Sequence, residues 1–151
     1  MSECLKIIFM TDEKDYICFA EKNMFLKEAG HIVCFSLEEV ADKFAQAKGI
    51  SIGDTICFDL SLIAEFIEGG ETIKSPALFL DFWNIMSDLS YSASASFLGD
   101  DDNDSLAELY DTLFYMVESG EAVPFSKDDL LDLKEVLKDG INLILSTLIA
   151  L

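Results

Sequence analysis

The sequence predicts an α/β protein: a mostly parallel, three-layer sheet of 4–5 strands, with helices on both faces and a helix-rich C-terminal half. Three observations predict this. Short apolar runs alternate with helix-forming stretches through the first half of the chain, an order that implies right-handed crossovers between parallel strands. The runs are continuously apolar rather than alternating, as in strands buried on both faces. With 151 residues, 51% of them apolar, one core and a single acidic domain over 1–151 are expected.

Residues 4–10 (CLKIIFM), bounded by Thr11-Asp12-Glu13, read as the first strand. Residues 14–29 are rich in helix formers and run to Gly30, the usual residue past a helix end. Residues 31–36 (HIVCFS) form the second strand. Ser36 stands three residues before Glu39, the spacing of a capping box, and a helix with Leu37, Val40, Ala41 and Phe44 on one side closes at Gly49. Residues 54–60 (DTICFDL) are the third strand, and 61–68 (SLIAEFIE) a short helix before Gly69-Gly70. After Pro76, the run ALFLDFW over 77–83 fits a fourth strand or a helix start equally well. The edge strand is placed at 121–125 (EAVPF).

The second half changes character. Residues 90–105 (SYSASASFLGDDDNDS) read as a long exposed loop. Ser105 and Glu108 form a second capping box, and Leu106, Leu109, Leu113 and Val117 lie on one face of a helix that Gly120 ends. Ser126 caps the last helix, with Asp128 and Asp129 in the first turn where the dipole favours carboxylates. Its stripe runs Leu130, Leu133, Leu137, Ile141, Ile144, Leu148, with Gly140 as a kink. That stripe serves either a buried final helix or a homodimer seam.

Composition narrows the function. Ten Lys oppose 29 acids, Arg is absent, and the formal charge is −19. Such a surface repels nucleic acid and anionic membranes, and without Arg there is no bidentate grip on phosphate. No run is long enough to span a bilayer, and no basic stretch followed by an apolar segment marks a signal peptide, so a cytoplasmic location is expected. Cys4, Cys18, Cys34 and Cys57 form no C-x-x-C pair and sit among apolar neighbours, as buried reduced thiols do. A single His31 with no paired thiols argues against zinc. There is no Gly-rich phosphate loop, nucleophile elbow or H-E-x-x-H, so the chain reads as a non-enzyme without cofactor or metal.

The charge is uneven. Residues 49–126 hold fifteen acids against Lys74 alone, a balance of −14. The densest part is Asp100-Asp101-Asp102-Asn103-Asp104. Counted as a calcium loop from Asp100, it lacks the central Gly and ends on Asp111 rather than Glu at position 12. A docking surface for a basic protein fits better, because concentrated unneutralised carboxylates speed encounter with a positive partner. Its expected members are Asp100, Asp101, Asp102, Asp104, Glu108 and Asp111, with Tyr91, Phe97 and Tyr110 as aromatic anchors.

Asp12-Glu13 after the first strand, Asp59 in the third-strand segment TICFDL, and Ala122-Val123-Pro124-Phe125-Ser126 before an acidic helix resemble the receiver domains of response regulators. The resemblance implies a flavodoxin-like fold with Asp59 as phosphoacceptor beside Asp12 and Glu13. Two positions depart from the pattern: Val123 replaces the Lys before Pro, and ALFLDF offers Asp81 or Phe82 where the fourth strand ends in Ser or Thr. In physical character the chain is similar to bacterial immunity proteins, small acidic blockers of cationic nuclease toxins. Neutralising such a basic partner is the leading expectation. A receiver-like regulator is the second, and a type III secretion chaperone the third.

Overall fold

The computed structural model describes residues 3–151; Met1 and Ser2 lie outside the described residues. The strands are β1 (Glu3–Met10), β2 (Asp15–Glu21), β3 (Met24–Phe25), β4 (Lys27–Glu28), β5 (His31–Ile32), β6 (Cys34–Phe35) and β7 (Ser51–Asp59). The helices are α1 (Glu38–Lys48), α2 (Leu60–Gly69), α3 (Pro76–Ala93), α4 (Asp104–Ser119) and α5 (Lys127–Thr147), with a 3₁₀ turn at Leu98–Asp100.

The α/β class is as expected, but the sheet is mixed rather than mostly parallel. Its order is β3-β2-β1-β7, with β6 also pairing on β2. Only β1 and β7 run parallel; β1–β2, β2–β3 and β2–β6 are all antiparallel. The cause lies in residues 14–29, which form no helix. The segment 15–20 (DYICFA) is an apolar, aromatic run that suits a central strand, and all of Tyr16–Ala20 is buried. Two tight reversals follow it. Lys22 and Asn23 have φ of 49° and 67°, and Ala29 and Gly30 have 52° and 83°. Paired positive φ angles are what a two-residue hairpin turn demands, and Asn and Gly tolerate them best. Gly30 therefore turns the β4–β5 hairpin instead of ending a helix. The expected strand at 31–36 is split into β5 and β6.

Side chains alternate between two apolar clusters across the sheet. Ile8, Ile17 and Phe19 meet Ala41 and Ala45 of α1. Ile7, Phe9, Cys18 and Phe58 face the larger cluster made with α2, α3, α4 and α5. Phe9 stacks on Phe58 at 5.7 Å, and Phe58 meets the ring of Phe82 at 5.9 Å, joining sheet to α3. Such pairs add about 0.5–1.5 kcal/mol each beyond burial.

Several caps differ from expectation. Leu37, not Ser36, is the N-cap of α1 and makes no side-chain bond; Ser36 instead binds the carbonyl of Leu151 through both N–H and hydroxyl. Gly49 and Gly120 close α1 and α4 with left-handed backbone, as read from the sequence. Residues 77–83 lie in α3, where Pro76 occupies the first turn that tolerates it. Residues 121–125 form no strand. Ser126 caps α5 by accepting from the N–H of Asp129. The α5 stripe is consumed in the chain's own core: Leu133, Leu137 and Ile144 are fully buried. α5 is continuous through Gly140. A Cβ there would come within 2.7 Å of Phe82 and 2.9 Å of Met86, so the missing side chain is what lets α3 and α5 approach.

Candidate partner-binding surface

The segment expected to be an exposed loop over 90–105 is largely fastened down. α3 continues to Ala93, and Ser94 (φ 53°) ends it. Ser92 is buried, and its hydroxyl accepts the backbone N–H of Phe25. Phe97 is 3% exposed and belongs to the core, so it is no surface anchor. Gly99 sits where a Cβ would strike the rings of Phe97 and Trp83, and its carbonyl accepts Trp83 Nε1 at 3.2 Å. The N–H of Leu98 donates to Asp139 of α5 at 2.7 Å. These bonds hold the 3₁₀ turn against α3 and α5.

The acidic run is thereby divided by role. Asp100 faces α3: Ser87 donates to its Oδ1 at 2.6 Å and Ser90 to its Oδ2 at 2.9 Å. Asn103 caps α4, accepting from the N–H groups of Ser105 and Leu106; the expected Ser105–Glu108 box is displaced by two residues. Asp101, Asp102 and Asp104 remain exposed and make no side-chain bond in the described structure. They line a concavity of about 410 Å³ together with Trp83, Asn84, Tyr110 and Asp111. Tyr110 meets Trp83 edge-on at 5.4 Å and donates its hydroxyl to Asn84 Oδ1 at 2.7 Å. No lysine lines this surface.

Ion pairing sharpens the contrast. Among the described residues every salt bridge uses an acid from the first 48 residues: Glu28, Glu38, Glu39 or Asp42. None of the fifteen acids over 49–126 has a cation partner among the described residues. Beside the concavity, burial and the charge of Asp100 push the carboxyl of Asp88 above its usual range.

Of the expected members, Asp100, Asp101, Asp102, Asp104, Asp111 and Tyr110 come together here. Glu108 is exposed on α4 outside the concavity, and Tyr91, 74% exposed, stands elsewhere on α3. Trp83, Asn84 and Ser87 were not anticipated. Their signal was present in the sequence: Trp83 and Ser87 are four apart, one helical turn, but only a helical reading of 77–83 puts them on one face.

Asp59 ends β7, in register with Met10 of the parallel neighbour β1. Its Oδ1 accepts both the N–H and the hydroxyl of Ser61, which makes it the N-cap of α2. Asp12 and Glu13 lie exposed in the Thr11–Lys14 turn, where they line a concavity of about 350 Å³ with Ser61, Ile141 and Leu145. Asp81 and Phe82 sit inside α3 rather than at a strand end. Of the thiols, Cys4, Cys18 and Cys34 are buried, while Cys57 is exposed. Among the described residues no cluster of metal-binding side chains occurs, and no helix is long and apolar enough to cross a membrane.

No protein-family model, curated protein or solved structure matches the chain.

Proposed function

We propose that this chain is a non-catalytic binding protein that docks a basic protein on its acidic α3–α4 surface and blocks it, most concretely as an immunity protein against a cationic nuclease toxin in the cytoplasm. One observation carries the reading. Asp101, Asp102, Asp104 and Asp111 are gathered without any lysine around a concavity that Trp83 and Tyr110 also line. The carboxylates gathered there have no ion pair among the described residues and repel one another, and that cost needs a compensating use. A nuclease surface built to receive phosphates offers the complementary charge. Carboxylates supply steering, and the half-buried Tyr110, braced edge-on by the buried Trp83, supplies an aromatic contact.

The test is titration of the full chain with a cationic nuclease domain at low and high salt, beside the Asp101→Lys/Asp102→Lys/Asp104→Lys variant. The expected result is binding whose on-rate falls about tenfold or more in the variant and in high salt. An Asp12→Lys/Glu13→Lys variant, altered on another surface, should bind as the parent does. Absence of binding to basic domains at low salt overturns the reading.

A further inference from the structure

We propose that Cys18 and Cys34 are a two-electron oxidation site that closes to a cross-strand disulfide when a peroxide-class oxidant reaches it. The two residues are direct register partners on antiparallel β2 and β6. Both belong to the cluster on the helix-rich face of the sheet, so their side chains share one face. The two thiols perturb each other's ionisation, Cys18 upward and Cys34 downward.

The backbone fixes the kind of pair. The carbonyl of Cys34 accepts the N–H of Leu151 at 3.0 Å, and the N–H of Ser36 donates to the Leu151 carbonyl at 2.9 Å. Cys34 and Ser36 thus turn their backbone groups away from β2, which leaves Phe35 to bond Ile17. Cys18–Cys34 is therefore a non-hydrogen-bonded pair, the kind whose Cα atoms approach to about 4.5 Å. That separation lies within the span a disulfide bridges. Neither Cys4 nor Cys57 is so placed: Cys4 pairs with Ile52, and Cys57 with Ile8.

The chemistry divides between the two sulfurs. The interaction with Cys18 lowers the Cys34 thiol, burial opposes it, and the Ile17 backbone and the charge of Lys14 lower it further. Cys18 is held well up by that same interaction, by burial and by the charge of Cys34. Cys34 is the better thiolate and so the attacking sulfur. Its lone pair takes one oxygen of the peroxide, breaking the O–O bond, and the departing hydroxide takes a proton to leave as water. The resulting Cys34 sulfenic acid is attacked by Cys18; the S–S bond forms, and the sulfenic oxygen leaves with the Cys18 proton as a second water. Both thiols are almost wholly buried, and β6 is held on β2 at only two register positions, so opening of this short strand is the route for the oxidant. The closed bond would clasp β6 to β2 and resist that opening.

The experiment uses the full chain carrying Cys57→Ser, which removes the exposed thiol. After hydrogen peroxide, the protein is unfolded, alkylated and weighed. The expected product takes one alkyl group instead of three, and its peptide map joins Cys18 to Cys34; a reductant restores three. The oxidised form should melt about 5–10 °C higher, from closure of a loop of some 15 residues. Cys34→Ser should abolish the bridge, and Cys18→Ser should stop at the sulfenic acid. Three free thiols after peroxide, a bridge to Cys4, or a bridged form that melts no higher would overturn the proposal.

Discussion

Lys6 Nζ lies 2.6 Å from Asp42 Oδ1, so the sheet's buried cation is held by the helix that covers it. Glu38 adds a second contact at 2.8 Å. Lys6 is the only buried charged residue among those described, and its partners, one turn apart on α1, are about half exposed. Burial alone would lower the ammonium, but hydrogen bonds to Asp42 and Glu38 outweigh it and leave it raised.

Lys6→Ala should destabilise the fold by about 1–3 kcal/mol in urea unfolding, less than the loss of a fully buried partner because the stranded carboxylates can hydrate. Lys6→Met, which keeps the stem, should cost less than Lys6→Ala. The sign with pH follows from the raised value. The contribution is complete below the unfolded lysine range and disappears as pH rises through the folded value. The parent's stability should therefore converge on that of Lys6→Met only in strongly alkaline solution.

The α3–α5 contact makes a paired prediction. Gly140→Ala gains helix propensity but pushes a methyl into Phe82 and Met86. A net loss of about 1–2 kcal/mol is expected in urea midpoints. Gly69→Ala, in α2 with nothing within 4 Å of its Cβ, should stabilise by about 0.4–1 kcal/mol.

Asp59→Ala should lose about 1 kcal/mol, the worth of an N-cap, whereas Asp59→Asn keeps an acceptor for Ser61 and should lie within about 0.5 kcal/mol of the parent. Equal losses in the two variants would assign Asp59 a role that depends on its charge.

The acidic run should separate by role under single substitution. Asp100→Ala removes the acceptor for both Ser87 and Ser90 and should cost about 1–2 kcal/mol. Asp101→Ala and Asp102→Ala touch no bonded group and should be neutral or slightly stabilising, the more so at low salt where repulsion is least screened. Thermal melts at two ionic strengths check this.

How legible the fold was depends on the competing signals in each segment. CLKIIFM, DTICFDL and the α5 stripe each carry one strong period, and their elements appear within a few residues of the expected bounds. Residues 14–29 carried two. Lys, Glu and Ala favoured a helix and Gly30 its end, yet Tyr16–Ala20 gains more by burial between strands than propensity can oppose. Around Phe97, small polar residues read as solvent-exposed. Ser90, Ser92 and Gly99 are small because helix, sheet and Trp83 pass close by them.

The sequence by itself determined the chemical character of this protein: the missing Arg, the −14 balance over 49–126, the main apolar runs, and the caps at Ser126, Gly49 and Gly120. These are local or compositional properties, and chain order alone carries them. Only the tertiary structure decided that β2 runs antiparallel beside β1, that Asp100 turns inward while Asp101, Asp102 and Asp104 do not, and that Cys18 meets Cys34. Each depends on which residues far apart in sequence share a face, and that is set by the joint packing of the sheet and five helices.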